Sequence, residues 1–493
     1  MIHKIITLSN YANFSPSLYD RHDWDGCLKK NNLIFAPNGS GKTSFSILLE
    51  SLNNKEYLIK KKKKYGAKEN PKIIFIDDIN KEISYKNGTW NKQLDVEVFN
   101  SLYLENNVYS IDVTDAGDIS FLEAIVFDDL KDNIRRIANL NKQITKLRQK
   151  RHNYRNRRNK RIKAKDSAKN ISELQTSMDS LQLEINNKID EINVHMEKRK
   201  KRTEIAIQKY MSQINKLLTS FAPYLSISNI KPVYKSKYGL LKKLVYEIIV
   251  NNHPISINDR SETSLKYSLS EGDKNSLALS FFIAKLNLLP NLDNRIVVID
   301  DPFTSFDAHR KQITINEIAN LSEKVKQLFV LSHDIQFQND LYKKINSECV
   351  CLKLKKTTQG TRISSIVLEK ESMTGLIKDI TFLHDFLVHG EDNETELLFV
   401  CRTIRPSLEG IFRIKYFNLV SSNQWLGNII EMIRDSQKGE PFYRLKKSLP
   451  EIESINDFSK KFHHSNPGYL EYPLNFNEVV NYVERTIKLI TEI

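Results

Sequence analysis

From residue 1 to about residue 128 the apolar positions come in short runs closed by turn residues, as in NNLIFAPNGSGKT, PKIIFIDD and DVEVFN. That texture predicts strands and loops. Between about Leu130 and Leu218 there is neither proline nor glycine, and helix-forming residues dominate. Ile134, Ile137, Asn141 and Ile144 fall at steps of three and four, and Leu174, Met178, Leu181, Ile185 and Ile192 resume the seam after a polar break at Lys165–Asn170. Two helices folded back on each other as an antiparallel hairpin follow from this spacing. The seam is short and interrupted, which predicts a stubby projection. From about Ala222 strand texture returns in LVYEIIVNNHPISI, followed by a helical stretch and then by RIVVIDDP and QLFVLSHD. Beyond about Glu369 the pattern is helical to Ile493. The chain therefore divides into a first α/β half (1–128), a coiled-coil insertion (129–218), a second α/β half (219–368) and an all-α C-terminal domain (369–493).

Composition narrows this picture only slightly. With 493 residues, 40% of them hydrophobic and 27% charged, the chain can bury a large core. The longest apolar candidate, Leu277 to Leu289, is broken by Lys285 and Asn287, so no membrane span is expected. The opening MIHKIITLSNY lacks a basic-then-apolar leader, which predicts a cytoplasmic protein. Cys27, Cys349, Cys351 and Cys401 are too scattered for a disulfide framework, and Cys349 and Cys351 read as buried thiols of one strand. The net charge of +15 is concentrated: Lys131 to Lys169 holds sixteen Lys or Arg and two Asp, a net +14. Such a block is either a solvated helix face or an arm that meets phosphate. Tyr154 is the one aromatic residue within it, so no base-stacking platform is evident there.

Candidate chemistry begins at residues 31–43, where an apolar strand enters a small-residue loop and a helix follows. Backbone N–H groups of Asn38, Gly39, Ser40 and Gly41, with Ser44 behind them, can cradle phosphates at a helix N-terminus. Lys42 would reach the β- and γ-phosphates and the Thr43 hydroxyl would ligate Mg²⁺. Ala36 stands where a first glycine is usual. RIVVIDD ends a buried strand in two acids: Asp300 would hold Mg²⁺ through water and Asp301 would orient the attacking water. Asn100, in EVFNSLYLENNV, is the candidate for a further contact to Mg²⁺ or water. SLSEGDK opens a long helix and resembles the ABC signature Leu-Ser-Gly-Gly, with Glu271 for the first glycine. The resemblance to SMC-like ABC ATPases implies that Ser270 and Gly272 meet the γ-phosphate from the opposite subunit of an ATP-sandwiched homodimer. It also implies that Ser305 and Asp307 form the loop communicating across that dimer, and that His333 senses the γ-phosphate. The nucleotide is ATP on this reading, with GTP left open because no base-stacking residue declares itself.

VEVFNSLYLENNV, LSEGDKNSLALSFFIAKL and IDDPFTSFD together resemble the PrrC/RloC group of bacterial antiphage ATPases, which fuse an ABC-type head to a helical anticodon nuclease. The resemblance covers most of the chain up to about Lys355 apart from the hairpin, whose lack of cysteine matches the hookless PrrC layout. It implies a nuclease triad of an arginine, a glutamate four positions on and a downstream histidine. Arg405 and Glu409 fit the first two, and His463 or His464 in NDFSKKFHHSNP the third. A metal-free cleavage of tRNA follows, with histidine and glutamate sharing proton transfers and Arg405 stabilising developing charge. Arginine and glutamate at this spacing also form ordinary helix salt bridges. His384 and His389, five apart, do not share a helix face and make a poor metal pair. Two other readings fit the same features. One is a sensor ATPase whose C-terminal domain holds a separate toxin or nuclease subunit or answers to a protein inhibitor. The other is an SMC-like DNA-repair ATPase with the basic hairpin on duplex DNA.

Overall fold

The computed structural model describes residues 1–100, 103, 131–235, 240–255, 268–302, 307–462 and 473–493. They fall into two compact units, Met1–Ile366 and Val367–Ile493.

The first unit begins with β1 (Ile2–Ser9), β2 (Asn31–Phe35), α1 (Lys42–Glu50), α2 (Tyr57–Lys61), β3 (Lys72–Asp77), β4 (Glu82–Lys86), β5 (Thr89–Trp90) and β6 (Val96–Phe99). The hairpin helices α3 (Lys131–Lys163) and α4 (Ala168–Phe221) follow, then β7 (Leu225–Lys235), β8 (Leu240–Val250) and β9 (His253–Ile255). The unit closes with α5 (Glu271–Leu288), β10 (Ile296–Asp300), α6 (Ala308–Lys324), β11 (Gln327–Ser332), α7 (Ile335–Lys344), β12 (Cys349–Thr357) and β13 (Gly360–Ser365).

The central sheet has the order β13-β12-β2-β11-β10-β6. All its pairings are parallel except the edge hairpin β12–β13. Its middle strands are buried along their length, which is why IVVID and QLFVLS read as unbroken runs rather than as alternation. Phe99 pairs with Ile299, Asp300 with Leu331, and Leu331 with Ile34. The strands carrying the candidate motifs thus end at one edge, where open parallel sheets bind ligands. A second, antiparallel sheet of order β1-β3-β4-β5 packs against the first through a shared core that includes Ile5, Phe45, Leu48, Phe75, Trp90, Val298 and Phe329. The buried Gln327 amide ties the two sheets: its Oε1 accepts from Ile2 N (2.8 Å) and its Nε2 donates to Ile2 O (2.7 Å).

The hairpin is longer than the stubby projection expected. At about 1.5 Å per residue, the 33 residues of α3 span about 50 Å. Its buried seam is Ile137, Leu140, Ile144 and Leu147 against Ile185 and Ile192. Leu140, not Asn141, fills the second position; the Asn141 Nδ2 turns back to the carbonyl of Ile137 (3.0 Å). The side chain of Ile134 lies outside the described residues. The far end of α4 belongs to the head, where Tyr210 donates to the Phe281 carbonyl of α5 (3.1 Å). Positive charge gathers toward the tip along α3; α4, which leaves the reversal at Ala164–Ser167, carries its own basic run only at Lys198–Arg202, far from the tip.

Every element of the second unit is helical among the described residues: α8 (Leu368–Ser372), α9 (Gly375–His389), α10 (Glu394–Lys415), α11 (Leu426–Asp435), α12 (Leu449–Ser459) and α13 (Phe476–Glu492), with short 3₁₀ turns between. Val400, Ile404, Leu408 and Phe412 form a four-residue-step stripe on α10, buried among Leu383, Phe386, Ile429, Ile433, Ile455 and Val483. No helix among the described residues is long and apolar enough to cross a membrane. Cys349 and Cys351 are free and half-buried on β12, rather than fully buried as expected.

Candidate functional site

The phosphate loop connects β2 to α1. Gly39 and Gly41 adopt φ of +72° and +108°, conformations that a side chain would strain. Ala36 does not adopt a positive φ, so the missing first glycine carries no conformational cost. Gly41 is the N-cap of α1 and offers no side-chain cap, leaving the first-turn N–H groups for a phosphate. Ser40 closes a tight turn on the Pro37 carbonyl (2.6 Å), and Thr361 of β13 donates to the Ser40 carbonyl (2.9 Å). Behind the loop, Tyr11 donates to the Ser44 carbonyl (2.7 Å). Sequence reasoning missed Lys356: its ammonium lies 3.0 Å from where a Cβ on Gly39 would stand, a second cation at the loop.

Lys42 is almost fully buried and folds back. Its ammonium donates to the Ala36 carbonyl (2.8 Å) and to Asn38 Oδ1 (3.2 Å), and pairs with Asp301 Oδ2 (3.1 Å). Asp301 is held in a left-handed conformation (φ +45°). Its Oδ1 accepts from His333 N (3.1 Å) and lies 2.9 Å from His333 Nδ1. Three separate motifs, Lys42, Asp301 and His333, therefore form one cluster. An incoming γ-phosphate would have to take Lys42 from Asp301, freeing that carboxylate for water.

Asp300 ends β10 beside α1. Ser46 donates to its Oδ2 (2.9 Å), whereas its Oδ1 is buried with no hydrogen-bond partner. Burial first, then the neighbouring Asp301 charge, push the Asp300 carboxyl up to about 6, against the pull of Ser46, Lys42 and Thr43. A buried, unpartnered carboxylate oxygen next to the Thr43 hydroxyl is the donor set that an oxygen-seeking Mg²⁺ fits. Asn100 leaves β6 one residue after the Phe99–Ile299 pair, level with Asp300, but its Nδ2 faces Glu50 Oε2 (3.5 Å).

Ser270 caps α5. Its hydroxyl accepts from Asp273 N (3.2 Å) and donates to Asp273 Oδ2 (2.7 Å), while Glu271 points outward to pair with Lys274 (2.7 Å) and Gly272 is buried. Asp307 caps α6 by accepting from Arg310 N (2.8 Å). Ser305 lies outside the described residues. Arg310, which sequence reasoning did not single out, joins these parts: it donates to Asp273 Oδ1 (2.9 Å), to the Tyr224 hydroxyl (2.7 Å) and to the Phe221 carbonyl at the end of α4 (3.1 Å). The start of α5 and the root of the hairpin thus share one guanidinium, whose Nε also stands 3.9 Å from Asp307 Oδ2.

In the second unit Arg405 and Glu409 are paired on α10, Nε to Oε1 at 2.8 Å. Glu409 is only 3% exposed, and the same Oε1 accepts from Leu426 N at the start of α11 (2.9 Å). Arg413 stands 3.7 Å from its other oxygen. In this arrangement Glu409 positions Arg405 rather than facing solvent. His463 and His464 lie outside the described residues. The carbonyl of Phe462, just before them, accepts from Arg402 Nε (2.9 Å), one turn from Arg405 on the same helix. His384 and His389 are exposed on α9.

These placements make an α/β head split by an antiparallel coiled-coil hairpin, followed by a helical unit. Solved structures to which it is similar include the Smc head domain with an extended coiled coil bound to the C-terminal domain of ScpA from Pyrococcus furiosus, at 12% identity over 75% of this chain and 97% of that one, with a TM-score of 0.49. The Smc head domain with a coiled coil and joint from Pyrococcus yayanosii is similar at 12% identity over the same shares of each chain, with a TM-score of 0.43. No curated protein matches the sequence. The family model AAA_13, described as an AAA domain, matches residues 125–447, well over half of the chain. The chain belongs to the AAA_13 family of AAA domains.

Proposed function

We propose that this chain is an ATP-gated ribonuclease of the anticodon-nuclease type, acting in defence against phage. ATP with Mg²⁺ sits on the phosphate loop of one head and under Ser270 and Gly272 of a second copy. Lys42 and Lys356 meet the phosphates, Thr43 and Asp300 hold Mg²⁺, and His333 and Asp301 attend the γ-phosphate. Mg²⁺ supplies charge neutralisation at the phosphates. Asn100 is a further contact to Mg²⁺ or water, and Ser305 and Asp307 belong to the loop that communicates across the dimer.

The observation that carries the nuclease half is the pairing of a partly accessible Arg405 with the enclosed Glu409, one turn from the Arg402 bond that holds Phe462, the residue before His463. Glu409 fixes the guanidinium of Arg405, which neutralises the phosphate. One of His463 and His464 takes the ribose 2′-hydroxyl proton. The 2′-oxygen then bonds to phosphorus, the bond to the 5′-oxygen breaks, and that oxygen leaves with a proton given by the other histidine. tRNA is the substrate class that the PrrC-like motif pattern favours.

One observation favours a second reading, a sensor ATPase that holds a separate toxin or inhibitor. Ile414, Phe417 and Trp425 are 66%, 80% and 56% exposed on the helical unit, which suits a protein partner. Incubating purified chain with total tRNA, with and without ATP, and sequencing the ends tests the choice. Anticodon-loop cuts that disappear in Arg405→Ala and in the joint His463→Ala/His464→Ala variant support the nuclease. No cuts under any nucleotide condition, with activity appearing only when a co-purifying protein is added, overturn it in favour of the partner-holding reading.

A further inference from the structure

The hairpin seam changes chemistry partway along. Ile137, Leu140, Ile144 and Leu147 are its buried apolar positions on α3, alternating steps of three and four. Continuing that alternation reaches Arg151, Tyr154 and Arg158. Arginine thus occupies two of the next three seam positions, on either side of Tyr154, where an apolar side chain would hold the helices together. Arg158 finds a partner across the seam in Gln175. Arg151 does not: its Nε is buried and has no hydrogen-bond partner. Around it the helices leave a cleft of about 300 Å³ lined by Arg148, Arg151, His152 and Arg155 of α3 and by Gln182, Ile185 and Ile189 of α4. No acidic side chain lines it.

Polar residues at seam positions cost coiled-coil stability, and a buried guanidinium donor without an acceptor costs more. Three guanidiniums converge there with no carboxylate in the lining, and an anion among them would relieve their mutual repulsion. The cleft lies about 18 Å below the turn at the end of α3, at 1.5 Å per residue for the twelve residues from Arg151 to Lys163. It also lies inside the densest stretch of positive charge in the chain.

We infer that this cleft is a binding site for the phosphodiester backbone of a nucleic acid, with Arg151 and Arg155 as its principal phosphate contacts. The assignment does not depend on the chemistry of the C-terminal unit. Its ligand is the phosphate backbone that tRNA and duplex DNA share, so recognition there is by charge and shape and falls steeply with salt.

The test measures equilibrium binding of the full chain to fluorescent tRNA and to a fluorescent DNA duplex over a series of salt concentrations. Arg151→Gln/Arg155→Gln is compared with Lys142→Gln/Lys146→Gln, which removes equal charge from exposed positions on the same helix outside the cleft. The cleft variant is expected to bind about tenfold more weakly and to lower the log–log salt slope by about two. The control is expected to change little. Stronger binding of one probe identifies the source of the phosphates. Equal losses in the two variants, or no binding of either probe by the wild-type chain, would overturn the assignment. Arg151→Leu guards against misfolding: restoring an apolar seam should raise the melting temperature while weakening binding, and a variant that melts higher and binds as well as wild type also overturns it.

Discussion

A carboxylate as enclosed as Glu409 is stable only while its donors stay in place. Replacing it with alanine strands Leu426 N–H and the Arg405 guanidinium and should cost about 3 kcal/mol in urea unfolding. Glu409→Gln, which keeps an acceptor, should lose less. Asp300 presents the opposite case, since its burial is not matched by donors. Its carboxyl is pushed up to about 6 from 3.8, so between those values the folded chain holds a proton that the unfolded chain has released. Nucleotide-free stability therefore falls as pH rises through that window, by about 3 kcal/mol in all, and levels off above it. Magnesium needs the ionised form, so the thermal stabilisation given by Mg-ATP should fade below about pH 6. Asp300→Asn should flatten both profiles, and a melting series across pH reads them together. The spacing of Arg405 and Glu409 was legible in the sequence because a helix makes four-apart residues neighbours. The bond to Leu426, 17 residues away, was not, because no local period connects a helix face to the start of the next helix.

At the scale of elements, Arg310 joins parts that the sequence keeps far apart. Phe221 and Tyr224 end the hairpin, Asp273 opens α5, and Arg310 itself sits in the first turn of α6. Each motif of the head was readable because its chemistry is contained in a few consecutive residues. The network joining them was unreadable because three distant segments supply it. Arg310→Ala should leave ATP binding to the isolated phosphate loop nearly unchanged while slowing hydrolysis about tenfold, a loss of about 1.4 kcal/mol at the transition state. Arg310→Lys should not restore it, since one ammonium cannot hold the Asp273 carboxylate, the Tyr224 hydroxyl and the Phe221 carbonyl in the same fork. A nucleotide titration beside a steady-state rate separates the two effects. Hydrolysis that persists in Arg310→Ala would remove Arg310 from the coupling. The hairpin offers a similar contrast. Its existence and its reversal were evident from composition and period, but the regular seam through Leu140 and Leu147 was obscured by Asn141, whose side chain bonds its own helix.

For the whole molecule, the layout of an α/β head interrupted by a hairpin and followed by helices was visible because strand runs, a proline-free stretch and a helical tail differ in texture over tens of residues. Joining of the nucleotide motifs at one sheet edge follows from parallel strands in register, β2, β11, β10 and β6 in turn. The helical unit shows apolar Phe417 and Trp425 at its surface, and its chemistry rests on fewer and less local signals. On the proposed reading the head's features unite in a nucleotide site completed by a second copy, since Ser270 and Gly272 would have no role toward phosphate without one. The mass in solution of the Asp301→Asn chain, measured by light scattering with and without Mg-ATP, tests this most directly. A shift from monomer to dimer is expected on adding Mg-ATP, absent when Lys42→Ala is added to the same chain. A mass that stays at one value while nucleotide is demonstrably bound would contradict it.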